Sequence, residues 1–367
     1  MRRLAVCLII IGIPAILRGQ SVVAGPQLKY SITVTGISIY PNYGYVQGFN
    51  SSGQAAYWSD LHPIWHNGYL WTGSQNVQLE PLTGADTIPQ AMNDSGVVAG
   101  LYGPLYLKST AAYWDNTGKH DLPGLGGAYT WAEAINNNSV IAGRAENGTV
   151  NIERHLVIWD NGIHDMGALP TFNDEIRSMT DARQILGIGP GELNSWVWEN
   201  GNYRFLKDLQ GGVYSDAFEM NQSGAVVGMS WPNQTNDRAV VWPAGSSIPQ
   251  ALALPANAKL SRAYDINDNN QMVGYMIDNL SAVPQAVLWQ DGNYYLLNNL
   301  IDSTSGWRVT EAWFVNNSGQ ILALASSGSA GWHVLVLTPV PEPGWMVLPV
   351  VTVISLARPR RRVAGTC

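Results

Sequence analysis

Histidine is the side chain through which acid–base and metal sites are most readily found, and this chain has six, at 62, 66, 120, 155, 164 and 333. Only His62 and His66 stand four apart, a spacing that serves a zinc site when both lie on one helical turn. Pro63 falls between them and no Glu follows the first, so the zinc-protease pattern is absent. Asp265, Asn267 and Asn269 imitate the first three ligands of a calcium loop, but its sixth position is Asn270 rather than Gly and its twelfth is Met276 rather than Glu. No nucleophile elbow, phosphate loop or dinucleotide fingerprint occurs. No catalytic residue, metal or cofactor is therefore assigned. A pair of carboxylates gathered from distant segments would leave no mark in sequence spacing.

The strongest concentration of binding chemistry is the run Tyr57-Trp58-Ser59-Asp60-Leu61-His62-Pro63-Ile64-Trp65-His66-Asn67. Tyr57, Trp58 and Trp65 offer aromatic faces for a sugar or a partner protein, with His62 and His66 as polar handles. Counted from Gly48 to Trp71, the segment spans 23 residues where later units use 11 to 16. The sequence thus expects an enlarged loop on a rigid scaffold, the usual place for a binding site. The competing expectation is that Trp58 and Trp65 pack into the core.

The elements that would carry such a site follow from composition and periodicity. Charged residues are 13% of the chain, with 38 Gly and 15 Trp against 5 Phe, a turn-rich and aromatic-rich composition unlike that of a helical protein. A net charge of -7 excludes a nucleic-acid partner, which needs clustered Lys and Arg. A unit recurs in which Asn is followed seven residues later by Gly: Asn93 to Gly100, Asn136 to Gly143, Asn221 to Gly228 and Asn267 to Gly274. Degraded copies run from Thr180 to Gly187 and from Asn316 to Ala323, and a first copy is read as ending at Gly48. Each copy reaches a strand ending in Trp, at 71, 114, 159, 198, 242 and 289, separated by 43, 45, 39, 44 and 47 residues. Asn161-Gly162, Asn200-Gly201 and Asp291-Gly292 follow three of these tryptophans as hairpin turns.

Four short strands in 40 to 45 residues is the size of a propeller blade. The expected fold is all-β, a seven-bladed β-propeller of four-stranded blades. The seventh unit stops after its third strand, while residues 28 to 35 form an alternating strand ahead of the first unit. The N-terminal strand is expected to complete the last blade, so that no edge stays open.

These residues resemble the HAF-repeat proteins over roughly residues 85 to 340. The best matches are Asp121-Leu122-Pro123-Gly124-Leu125-Gly126-Gly127 leading into Ala134-Ile135-Asn136, and Ser305-Gly306-Trp307 leading into Asn316-Asn317-Ser318-Gly319-Gln320-Ile321. No literal His-Ala-Phe is present; the nearest forms are His155-Leu156-Val157 and Gln285-Ala286-Val287. The resemblance implies export and a β-repeat structure, and it implies no activity.

Both ends carry targeting chemistry. Met1-Arg2-Arg3, an apolar run over residues 4 to 17, and Val22-Val23-Ala24 have the three regions of a secretory signal peptide, with cleavage expected after Ala24. Cys7 and Cys367 lie in the two end segments, so no disulfide is expected in the domain between them. Near the other end, Pro341-Glu342-Pro343, the apolar run 344 to 357 and the arginines Arg358, Arg360, Arg361 and Arg362 look like a PEP-CTERM sorting signal. That resemblance implies an exosortase-type processing partner, transient residence in the inner membrane and delivery to the bacterial cell surface or an extracellular matrix. The 14-residue run would make a helix of about 21 Å, short against a bilayer core of about 30 Å and so a poor permanent anchor.

The expected domains are a signal peptide at 1–24, a propeller at 25–340 and a sorting tail with a short membrane segment at 341–367. The expected function is a non-catalytic surface propeller binding a polysaccharide or a protein. The alternative is a secreted glycan-active hydrolase or lyase with an acidic pair in the central channel.

Overall fold

The computed structural model describes residues 29–37, 45–62, 65–79, 85–104, 108–148, 152–189, 195–209, 212–232, 236–281, 283–328 and 331–340. These residues form seven four-stranded antiparallel sheets, each with its strands in sequential order except the last. In the third blade the order is Gly126–Ile135, Ile141–Asn147, Glu153–Trp159 and Ile163–Ala168. The innermost strands of the seven blades are Tyr45–Phe49, Asp86–Met92, Gly126–Ile135, Glu175–Met179, Gly212–Met220, Ala258–Ile266 and Arg308–Val315. Residues from all seven line one central channel.

The seventh blade is shared between the two ends of the described chain. Its order from the outside inward is Lys29–Val34, Trp332–Val340, Ile321–Ser326 and Arg308–Val315. Lys29–Val34 pairs antiparallel with the neighbouring strand, Ile32 opposite Leu337 and Thr33 opposite Val336. The expected closure is what the fold uses, and its reason is the removal of an open sheet edge. Leu297–Asn299 is a 3-10 turn, and among the described residues no helix is long and apolar enough to cross a membrane.

Apolar side chains pack between blades rather than into one central core. Leu186 and Val197 of the fourth blade meet Ala217, Val226, Val240 and Trp242 of the fifth in one such layer. The repeat tryptophans are the wedges: Trp71, Trp114, Trp159, Trp198, Trp242 and Trp289 are all buried. An indole removes about 200 Å² from water, worth about 5 kcal/mol by area. Three of them also bond backward to the chain preceding their blade's inner strand or linking it: Trp159 Nε1 to Pro123 O at 2.8 Å, Trp242 to Lys207 O at 2.9 Å and Trp289 to Ala253 O at 2.7 Å. The hairpin turns expected after the tryptophans are present, with positive φ at Asn200 and Gly201 and at Asp291 and Gly292.

The repeat asparagine is not itself left-handed; the residue three later is, as at Gly96, Ser139 and Asn270. Its side chain both bonds the turn backbone and joins blades. Asn93 Oδ1 accepts the backbone N–H groups of Ser95 and Val97, which leaves its Nδ2 to donate to Asn136 O in the next blade at 3.1 Å. The same bond runs from Asn50 to Asn93, Asn136 to Thr180, Asn221 to Asn267, Asn267 to Asn316 and Asn316 to Asn50. The belt lacks this bond only at Thr180, whose hydroxyl accepts from Gln184 N and cannot span to Asn221. A second belt, one residue on, continues across that seam through Asp181 N donating to Gln222 Oε1 at 2.7 Å.

Candidate functional site

Each innermost strand breaks register with its neighbour at a residue that occupies the same place in all seven blades. The breaks fall between Val46 and Gly48, Pro89 and Ala91, Ala132 and Ala134, Ile176 and Ser178, Ala217 and Glu219, Ala263 and Asp265, and Ala312 and Phe314. A bulge leaves its extra residue outside the ladder and re-aims the side chain. The seven bulged residues are Gln47, Gln90, Glu133, Arg177, Phe218, Tyr264 and Trp313, each three before the belt position, and every one lines the wide end of the channel.

In the second, third, fifth and sixth blades the repeat glycine lets the carbonyl two residues before the bulged position approach the second strand, whereas the first and seventh blades keep the bulge with Tyr57 and Ala323 at that place. A Cβ on Gly143 would sit 1.9 Å from Trp131 O, and one on Gly274 would sit 1.9 Å from Arg262 O. The Asn-to-Gly interval of seven is thus the imprint of a belt residue and a bulge partner.

The wide end encloses about 590 Å³ and narrows toward a space of about 190 Å³ lined by the belt. Its ring is two-faced. Blades one to four contribute Gln47, Gln90, Glu133 and Arg177, while blades five to seven contribute Phe218, Tyr264 and Trp313. Tyr45 and Phe314 extend the aromatic side. Phe218 and Tyr264 touch at 5.5 Å between ring centres, and Trp313 Nε1 donates to Glu311 Oε2 at 3.1 Å, fixing the indole.

The polar side is held by ion pairs. Glu133 accepts from Arg144 Nε at 2.9 and 3.1 Å and also from Ile176 N, so a buried pair ties the third blade to the fourth. Arg177 lies 3.5 Å from Glu175, both partly exposed. Deeper in the channel wall, burial raises the pKa of Glu219 and the neighbouring Asp265 carboxylate raises it further. Burial also raises that of Asp265, although its two oxygens accept from Ile266 N at 2.8 Å and Val315 N at 2.6 Å. Among the described residues, no three His, Cys, Asp or Glu side chains come together as a metal set.

No family model matches the chain, and no curated protein matches it. Solved structures do. An oligogalacturonate lyase from Vibrio parahaemolyticus aligns at a TM-score of 0.54 and 14% identity, covering 86% of this chain and 98% of that one. An oligogalacturonate lyase in complex with manganese aligns at 0.52 and 15%, covering 86% and 97%. A puromycin-hydrolyzing peptidase from Mycobacterium tuberculosis aligns at 0.54 and 10%, covering 85% and 56%. At these identities the likeness is one of fold.

The aromatic run of the first blade lies elsewhere than expected. Tyr57 is buried in an interblade layer and stacks on Tyr69 at 5.2 Å. Trp58 packs between Tyr45 at 4.8 Å and His66 at 4.7 Å, behind the mouth rather than on it. His66 Nδ1 lies 2.6 Å from Asp86 Oδ1, which also accepts the His66 backbone N–H at 2.8 Å. His62 and Trp65 pair across their hairpin, and their side chains lie outside the described residues.

The enlarged loop itself is a misreading of register. Gly48 belongs to the innermost strand, the belt residue is Asn50, and Tyr57 takes the place of the repeat glycine. From Tyr57 to Trp71 is 14 residues, an ordinary interval. Pro341, Glu342, Pro343, Arg360, Arg361 and Arg362, with the N-terminal segment 1–24, lie outside the described residues. The ring residues were missed because no one residue type recurs through the copies: six types fill the seven places. Their signal was that variability itself, at a fixed distance from the repeat asparagine.

Proposed function

We propose that this protein is an exported, non-catalytic surface propeller that binds a saccharide end-on in the wide mouth of its channel. The observation that carries the reading is the two-faced ring made by seven bulges. A sugar ring presents an apolar face and a polar edge, and here Phe218, Tyr264 and Trp313 stand opposite Gln47, Gln90 and Arg177. Amides and a guanidinium suit hydroxyl recognition, and the rigid sheet positions them before binding. Export rests on the signal-like residues 1 to 24, and surface delivery by an exosortase-type enzyme on Pro341-Glu342-Pro343 and the arginines beyond.

A glycan array followed by a hydrolysis and lyase screen on the purified protein tests this. Binding without turnover, weakened by Trp313→Ala, is the expected result. Turnover would favour a second reading, a glycan-active enzyme, for which the observation is the Glu219 and Asp265 carboxyl pair in the channel wall. Against it, both carboxyl groups already accept backbone N–H bonds.

A further inference from the structure

The aromatic side chains of the wide mouth fall together on blades five, six, seven and one. Three carboxyl groups line the same space, those of Glu133, Glu219 and Glu311, against one guanidinium, that of Arg177. Pairing accounts for two of these four groups. Glu133 is held by Arg144, and Arg177 lies 3.5 Å from Glu175. Arg262, two residues before Tyr264 on the same strand, is held by Asp237, Nε to Oδ2 at 2.6 Å. Neither Glu219 nor Glu311 forms an ion pair among the described residues. Burial, with the Asp265 charge, raises the pKa of Glu219 to about 8, so the standing charge is that of Glu311.

Glu311 sits among the rings. It accepts from Trp313 Nε1 at 3.1 Å, which sets its carboxylate at the edge of the indole. Burial raises the pKa of Tyr264, and the Tyr275 and Glu311 charges raise it further, so the same carboxylate acts on a second ring of the mouth. An aromatic face carries the negative part of the ring quadrupole, and it attracts a cation as the carboxylate does. Partial exclusion of water from an enclosed space strengthens both attractions.

We infer that the mouth selects a glycan whose end unit carries a free ammonium group, an unacetylated amino sugar, and that Glu311 decides this specificity. The inference rests on the saccharide reading above and names the class of its sugar. The ammonium lies against the rings of Trp313 and Tyr264 and pairs with Glu311. Hydroxyls of the same unit meet the amides of Gln47 and Gln90 on the opposite wall. An N-acetyl group in that place brings no charge and leaves the Glu311 carboxylate less hydrated without a countercharge. A lysine-rich peptide offers the charge without the hydroxyls that the amide wall serves.

The test is calorimetric titration of the full chain at about pH 6, below the ordinary range of an amino group. Three probes are used: a hexasaccharide of glucosamine, its fully N-acetylated form, and hexalysine. The expected result is at least about tenfold tighter binding of the amine glycan than of the N-acetylated one, with the ratio falling as salt rises and hexalysine weaker than the amine glycan. Glu311→Gln keeps an acceptor for Trp313 Nε1 and removes the charge, and it should bring the ratio of the two glycans to within about twofold. Trp313→Ala should weaken both glycans. Equal or tighter binding of the N-acetylated form by the wild type, or a ratio that survives Glu311→Gln, overturns the ammonium reading and spares the mouth. Hexalysine binding as tightly as the amine glycan overturns it as well, since charge alone would then suffice. Binding of neither glycan overturns both readings. If Glu311→Gln fails to fold, Arg177→Gln replaces it. Loss of the opposing cation should raise the ratio about threefold, and an unchanged ratio overturns the ammonium reading.

Discussion

Asn316 Nδ2 donates to Asn50 O at 2.8 Å, across 266 residues of sequence, and joins the seventh blade to the first. Asn316 Oδ1 meanwhile accepts from Ser318 N at 3.1 Å and Gln320 N at 2.9 Å. One amide thus shapes a turn and closes the ring. This bond and the strand pairing of Lys29–Val34 with Trp332–Val340 are two independent locks on the same seam.

Asn316→Ala removes these three bonds and a fourth from Nδ2 to Gln320 Oε1, and leaves the Asn50 carbonyl with Gly53 N as its donor. A loss of about 3 kcal/mol is expected, read as a lowered urea midpoint. Thr180→Asn restores the missing member of the belt opposite Asn221 and should add about 1 kcal/mol. An unchanged midpoint in both variants would mean that the belt contributes nothing net.

Gly274→Ala drives a Cβ to 1.9 Å from the Arg262 carbonyl and forces the bulge at Tyr264 to flatten or the strands to part. A destabilisation of at least about 2 kcal/mol is expected. Gly292→Ala, at a turn with no neighbour near the added carbon but a positive φ of 74°, should cost about 1 kcal/mol. The order of the two thermal midpoints checks the claim, and a reversed order would refute the close approach.

Glu219 and Asp265 are held protonated above the ordinary carboxylate range, so the folded chain binds protons more tightly there than the unfolded chain. Their contribution is complete at pH below about 4 and fades as pH rises through the raised values. Glu219→Gln keeps an acceptor for Met220 N and removes the titration. Unfolding midpoints between pH 5 and 8.5 should fall less steeply in the variant than in the wild type. Parallel profiles would show that this carboxyl does not titrate with folding.

Trp313→Ala should weaken saccharide binding about tenfold, near 1.4 kcal/mol, while Trp58→Ala should lower stability and leave affinity within about twofold. Trp58 packs on Tyr45 and His66 behind the mouth, whereas Trp313 faces the open channel. A large affinity loss on Trp58→Ala with an intact fold would return the binding site to the first-blade hairpin.

The sequence by itself determined the all-β fold, the number of blades and the closure by the N-terminal strand. Those follow from local periodicity, turn residues and a leftover strand at each end of the repeat array, which neighbouring residues write directly. The first unit escaped it because Asn50 is followed seven residues later by Tyr57 rather than by Gly, and the misplaced register created a loop that the fold does not contain. Only the tertiary structure decided the ring that lines the channel mouth. Gln47, Gln90, Glu133, Arg177, Phe218, Tyr264 and Trp313 are scattered over 267 positions and comprise six residue types. They become one ring because seven bulges aim them at a common axis, and an axis is a property of the closed circle that no single repeat possesses.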